Sequence, residues 1–440
     1  MPSLLAALPA LPSTLRARIA GSQLAARLLG GAAWGIAGAG AASGLNLLAM
    51  MLVARSLGRE AYGGFTVLQT TLMMAGVFAG YGIGLTATRY AASLRHRDPR
   101  RLAAILCLTE RAAVGFGAFA LLILELTAAA LATHALKAPA LTHSLRLAAG
   151  AVLFSTLDGY YKSVLIGLEA MQPLAAGSIV AAAAGTPLLV LLAYLAGVPG
   201  SACGLVLVAV AQCAVSHHQA RRCLARAGVP VHTGSVWGEW RVLRDSALPA
   251  LLCGVLVTPT QWVCQAILAH SSGGYGELAV LGVAMQWFAV IAYVPNVAGR
   301  IVLPVLIERH GSGERAQATK VLKLAVLANL IVASPVAILL CAASPWVMQA
   351  YGSQFRDGWA SLALVAPIAV LVVVAQPIGH MLVAGERMWL AAALNFMWAT
   401  LYVVGATLLC NHGALGVIAA MGCAYVVYSV AAALCAQRAV

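Results

Sequence analysis

The chain has 440 residues, 62% of them hydrophobic and only 9% charged, with a mean hydropathy of +0.91. A water-soluble domain carries charge on roughly a quarter of its residues, so a soluble fold is excluded. The formal net charge of +14 would suggest nucleic acid in a soluble protein, but here its distribution along the chain has to be read first.

Residues 1–12 are rich in Leu, Ala and Pro without charge; then Leu15, Arg16, Arg18, Ile19, Leu24, Arg27 and Leu28 alternate at helical spacing. A cleaved leader would start with positive charge, so the order predicts an amphipathic helix on the cytoplasmic surface over 1–30. Crossing about 30 Å of hydrocarbon takes roughly 20 apolar residues in a helix, the element that satisfies its own backbone there. Twelve such stretches follow. The first six are 33–54, 62–86, 112–132, 145–166, 174–196 and 199–216; the second six are 247–269, 278–298, 321–343, 360–383, 389–409 and 414–435. The expected fold is an all-α membrane protein of twelve transmembrane helices in two pseudo-symmetric six-helix bundles. An N-lobe would take 31–230 with helices 1–6, and a C-lobe 231–440 with helices 7–12. The longest polar interval, 217–246, is too short to bury a core of its own.

With the N-terminus inside, the other face holds Arg55, Arg59, Lys137, Arg146 and Arg356, and Arg111 sits at a helix mouth. The remaining Lys and Arg fall on the cytoplasmic side, which predicts cytoplasmic N- and C-termini and leaves no need for a nucleic-acid partner. The ten Cys are scattered, without the close pairs of a disulfide or zinc framework. Cys213, His217, His218 and Cys223 cluster near one helix end, but side chains strung along a helix diverge, so no metal is expected.

Two segments repeat. Ser56 to Leu68 resembles Ser271 to Leu281, with Tyr62-Gly63 and Tyr275-Gly276 213 positions apart. Val164 to Met171 resembles Met381 to Met388, with Gly167 and Gly385 218 positions apart. Two matches at nearly one offset argue for duplication of a six-helix unit, whose even number relates the halves by an axis along the membrane normal. Substrate is then expected between the lobes near the midplane. Arg89 and Arg300 fall at corresponding cytoplasmic mouths and present planar forks suited to phosphate oxygens; the bland alternative is a pair of lipid-phosphate anchors.

The run Ala54-Arg55-Ser56-Leu57-Gly58-Arg59-Glu60-Ala61-Tyr62-Gly63, followed by Gly82-Ile83-Gly84-Leu85-Thr86-Ala87-Thr88-Arg89-Tyr90, resembles the first two helices of the polysaccharide flippases. Pro304 and Tyr351-Gly352-Ser353-Gln354-Phe355 extend the resemblance. That family belongs to the multidrug/oligosaccharidyl-lipid/polysaccharide exporter superfamily. The resemblance implies translocation of undecaprenyl-pyrophosphate-linked oligosaccharide across the bacterial inner membrane, for O-antigen or exopolysaccharide synthesis. It also implies alternating access about a central cavity lined by helices one, two, seven and eight, and a polysaccharide polymerase and chain-length regulator as partners. Those helices carry Asn46, Gln69, Gln261, Gln265, Gln286 and Asn296 besides the two arginines, and polar groups at such depth prefer a cavity to lipid.

Three ionisable residues lie well inside spans, where charge costs at least a few kcal/mol unless paired or wetted: Glu125, Asp158 and Lys162. They are the ion-coupling candidates, although Asp158 and Lys162, four apart on one face, can simply neutralise each other. Gly76, Gly80 and Gly84, and likewise Gly40 and Gly44, suit close helix packing. No nucleotide-binding GxxxxGK[ST], HExxH or GxSxG occurs, so neither a cofactor nor enzymatic chemistry is expected. The rival reading is a multidrug or small-molecule exporter of the same superfamily.

Overall fold

The computed structural model describes residues 23–230, 239–242, 256–271, 273–311, 315–384 and 388–437. Most of the expected amphipathic segment, residues 1–22, lies outside them. Eleven long helices are found among the described residues: α1 Gln23–Leu57, α2 Arg59–Leu94, α3 Pro99–Ala130, α4 Leu141–Gly167, α5 Met171–Arg226, α6 Val257–Ala269, α7 Gly274–Gly311, α8 Arg315–Tyr351, α9 Trp359–Ala384, α10 Met388–Leu409 and α11 Gly413–Gln437. A one-turn segment, Trp240–Val242, precedes α6.

Local chemistry sets the breaks. α3 begins where Asp98 accepts a hydrogen bond from the Arg101 N–H (3.0 Å) and Pro99 occupies the first turn, where its missing N–H costs nothing. α5 spans 56 residues and as one straight rod would reach about 80 Å, far beyond a bilayer. It folds back at Ala196 and Gly197 (φ 62°), just before Pro199. The two arms close through small residues: Gly185 faces Val208, Gly204 faces Leu189, and Gly200 abuts the Leu192 carbonyl.

The described residues contain eight stretches long and apolar enough to span a membrane, which corrects the expected twelve helices in two six-helix bundles. The difference has identifiable causes. The fifth and sixth expected spans lie within the single folded stretch Met171–Arg226, and the last two within Trp389–Cys435. α4 is not among the eight, its apolar run being interrupted by Arg146, Asp158 and Lys162. Of 247–269, only Val257–Ala269 is described as helix.

Helices α1–α5 pack mainly on one another through α4–α5, α1–α5, α2–α4, α3–α4 and α2–α3. Among α6–α11 the main pairs are α8–α9, α7–α9, α10–α11, α9–α11 and α7–α8. The two sets meet chiefly where α2 lies against α7 and α6. That contact occupies the part of α2 nearest Arg59. Gly63 abuts the Tyr275 carbonyl so closely that a Cβ would collide with it. Deeper, Trp262 Nε1–H donates to Thr71 (2.9 Å) and Thr70 donates to Gln265 (2.7 Å). Beyond Gly76, α2 turns to its own set: Gly80 faces Thr156, Gly84 faces Ser163, and Thr88 donates to the Ser163 carbonyl (2.9 Å). α7 likewise turns to α9, with Gly299 against His380. The sets are thus joined toward the Arg59 end and diverge toward the other.

Candidate substrate cavity and its closure

Where the sets diverge, a cavity of about 540 Å³ opens among α1, α4, α5 and α7. Small residues make the room. Gly40, Ala42 and Gly44 of α1 line it, and a Cβ at Gly44 would meet nothing. The α1 glycines therefore open space, whereas Gly80 and Gly84 of α2 serve close packing on α4. Ser43, Asn46, Lys162, Gln212, Gln286 and Tyr293 supply the main polar wall.

Lys162 is the cation of that wall. Its Nζ lies 2.6 Å from Asp158 Oδ2, the lysine side chain about 30% exposed and the aspartate 9%. The second carboxylate oxygen of Asp158 accepts a hydrogen bond from Ser216 on α5 (2.6 Å). A buried ion pair persists only when its remaining lone pairs are satisfied in this way. The pair is neutral in sum, but its positive end faces the cavity because lysine is the more exposed partner. The ammonium has three donors and commits one to Asp158, so two remain for an anion.

The wall ends in a closure. Gln286 donates through Nε2 to the Tyr62 hydroxyl (2.6 Å) and accepts at Oε1 from the Tyr351 hydroxyl (3.1 Å). One amide thus ties α2, α7 and α8 together at the cavity's edge. At the end of the molecule, Arg59 gathers two further segments, the start of α7 and the short helix Ser353–Gly358. It pairs with Glu277 (2.8 Å) and Asp357 (2.8 Å) and donates to the carbonyls of Gly276 (3.1 Å) and Gln354 (3.0 Å). Glu277 also accepts from the Ala414 N–H at the start of α11 (2.8 Å). Arg55 Nε–H donates to the Ala350 carbonyl (2.6 Å), and the Tyr275 hydroxyl donates to that of Leu136 (2.7 Å).

Of the residues singled out from sequence, Asn46, Gln286 and Lys162 line the cavity, with Asp158 directly behind Lys162. Gln265 is buried and braces α6 on α2. Asn296 accepts from Gln376 of α9 (2.8 Å). Gln69 and Gln261 are half-buried, Glu125 is half-buried on α3, and Arg89 is exposed on α2; none of the four is among the lining residues. The side chain of Arg300 lies outside the described residues. Sequence reasoning missed Ser43, Gln212 and Tyr293, which carry no motif, and the Arg59 hub, which did carry a signal. The repeated segments beginning at Ser56 and Ser271 are the ones that meet face to face, through Gly63 on Tyr275 and Arg59 on Gly276 and Glu277.

Comparison with known proteins agrees with this architecture. Residues 28–310 match the family model described as polysaccharide biosynthesis protein. The EPS I polysaccharide export inner membrane protein EpsE of Ralstonia solanacearum is 26% identical over 427 residues, covering 94% of this chain and 93% of that protein. Among solved structures, the inward-facing conformation of a multidrug resistance MATE family transporter aligns with a TM-score of 0.74 at 14% identity, covering 90% of this chain and 93% of that one. The lipid II flippase MurJ, in an inward closed conformation, aligns with a TM-score of 0.68 at 13% identity, over 90% and 86% of the two chains. The chain is a multi-pass membrane protein with the fold of these transporters, and it belongs to the polysaccharide biosynthesis protein family.

Proposed function

We propose that this protein moves a lipid-linked oligosaccharide with an anionic head, of the undecaprenyl-pyrophosphate type, across the bacterial inner membrane by alternating access. Its destination is surface or exopolysaccharide synthesis, where a polymerase and a chain-length regulator would take over. Basic residues concentrate on one side of the chain, so the termini are read as cytoplasmic and the Arg59 end as extracytoplasmic. The described conformation then faces inward, closed at Arg59 and open beyond Lys162. The observation that carries the reading is the cavity wall itself: Lys162 is held by Asp158 with two donors to spare, among amides and hydroxyls suited to a sugar. Membership of the family and likeness to a polysaccharide export protein support the same substrate class.

The test is complementation of a deletion strain, scoring surface polysaccharide and the lipid-linked precursor retained on the cytoplasmic leaflet. Lys162→Arg keeps the cation. The double variant Lys162→Gln, Asp158→Asn keeps the pair neutral and removes it. Export is expected to hold in the first and to fall at least about tenfold in the second, the loss of one charge-assisted contact of about 1.4 kcal/mol or more. Equal export by both, with equal amounts of protein in the membrane, removes Lys162 from the substrate path.

A second reading, export of small molecules, draws on the fold shared with a multidrug transporter. The cavity volume of about 540 Å³ falls in the range of drug-sized sites. In the same deletion strain, restored drug resistance with unchanged polysaccharide would favour it.

A further inference from the structure

The short helix Ser353–Gly358 turns two faces to two environments. Residues three apart on a 3-10 helix eclipse one another, and Phe355 and Gly358 make up its buried side. Phe355 packs edge-on against Tyr62 (6.0 Å between ring centres) and lies beside Tyr351 (6.2 Å), and a Cβ at Gly358 would collide with Met348 and Val280. That anchoring leaves Ser353, Gln354, Arg356 and Asp357 exposed, with Trp359 exposed directly after them. Together with Arg59 these five line a second cavity, of about 560 Å³, at the Arg59 end of the molecule. It shares no lining residue with the Lys162 cavity.

The polar groups of this cavity divide into spent and unspent. Arg59 Nη1 reaches both oxygens of Asp357 (2.8 Å each) and the Gln354 carbonyl (3.0 Å), and its backbone N–H donates to Gln354 Oε1 (3.1 Å). The Asp357 carboxylate is thereby neutralised, and the Gln354 side chain is held in place through its oxygen with both amide N–H groups left over. Among the described residues, the Gln354 amide N–H groups, the Ser353 hydroxyl, the Arg356 guanidinium and the Trp359 indole N–H make no hydrogen bond or ion pair. Arg356 is therefore a planar fork without a carboxylate, on a platform fixed from below.

Each unspent group suits a different part of an acidic sugar. A guanidinium pairs with a carboxylate through two parallel hydrogen bonds. An indole offers its electron-rich face to the C–H groups of a pyranose ring, and the amide and hydroxyl match ring hydroxyls. A volume of about 560 Å³ lies in the range of small-ligand sites. A phospholipid fits less well, because no aliphatic side chain lines the wall for an acyl chain to lie on. We propose that this cavity is a second binding site, for a glycan bearing a carboxylate sugar, with the sugar ring on Trp359, its carboxylate on Arg356 and its hydroxyls on Gln354 and Ser353. Arg59 comes from the first helix set and the other five residues from the second, so the site is whole only while this end is closed, and a bound glycan holds it closed. On the orientation taken above the site faces the extracytoplasmic side; the binding itself depends neither on that orientation nor on what the protein carries.

The experiment titrates the full-length protein, in phosphatidylcholine nanodiscs that expose both faces, with a glucuronic-acid trisaccharide and with the neutral glucose trisaccharide of the same linkage, followed by saturation-transfer NMR of the sugar. The acidic sugar is expected to bind, and the neutral one to bind at least about tenfold more weakly for want of a charge-assisted contact. Trp359→Ala and Arg356→Gln are each expected to weaken binding of the acidic sugar at least about tenfold, and Trp359→Phe, which keeps a ring, by less. No binding, equal binding of the two sugars, or unchanged binding in both Trp359→Ala and Arg356→Gln overturns the proposal. So does loss of binding in Lys162→Gln alone, which would place the sugar in the other cavity. Displacement of the sugar by phosphatidylglycerol added to the nanodiscs also overturns it, by making the site a lipid-headgroup anchor. If polysaccharide export proves not to be this protein's activity, the binding result still stands or falls by itself.

Discussion

The two ends of this molecule use the same kinds of helix for opposite purposes. At the Arg59 end, discrete polar contacts bind the two helix sets: one guanidinium reaches two carboxylates and two carbonyls, and Gln286 sits between Tyr62 and Tyr351. Toward the other end each set turns its small residues inward on itself, as with Gly84 on Ser163 and Gly299 on His380. Bonds that are few, directional and replaceable by water suit an interface that opens. Continuous close packing suits a body that moves as a unit.

The comparison breaks most readily at Gly63. A Cβ there meets a backbone carbonyl, that of Tyr275, which has no rotamer to move into; Gly63→Ala should cost about 3 kcal/mol and lower the thermal midpoint measurably. A midpoint equal to wild type would mean that the sets are not pressed together at that place. Next comes Arg59→Ala, which strips Glu277 and Asp357 of their cation and should weaken the closure by about 2–3 kcal/mol. Spin labels at the exposed positions Glu60 and Arg356 would report it as a longer, broader distance distribution. An unchanged distribution would move the closure elsewhere.

Tyr62→Phe is a finer probe. It removes the acceptor of the Gln286 amide at a cost of about 1 kcal/mol, and should shift the same label distribution in the same direction but less. Gly44→Ala should do the reverse of Gly63→Ala. Its Cβ meets nothing and alanine favours a helix by up to about 1 kcal/mol, so the thermal midpoint should rise slightly; a fall would place α1 against a neighbour at that point.

Some of the site was readable before the fold, and for definite reasons. Asn46, Gln286 and Lys162 stood out because polar groups inside apolar helices are costly without a cavity or partner, and the cavity includes all three. The same rule also selected Gln265 and Asn296, which satisfy themselves through Thr70 and Gln376 instead. Depth along a helix is visible in one dimension, whereas the direction a side chain faces depends on which helix lies beside it. The count of spans differs for a related reason: Met171–Arg226 is one stretch that folds at Gly197, between the expected spans 174–196 and 199–216, and the charges of α4 thin its apolar run.

Composition and periodicity by themselves determined that this chain lives in a bilayer as an all-α multi-pass protein, because hydrocarbon forces every backbone group to be satisfied within its own segment. Only the tertiary structure decided where the two helix sets meet, which end is closed, and that Lys162 rather than Arg89 stands on the cavity wall. Those depend on contacts between helices more than 200 residues apart, such as Arg59 with Glu277, and no local pattern encodes a partner at that distance.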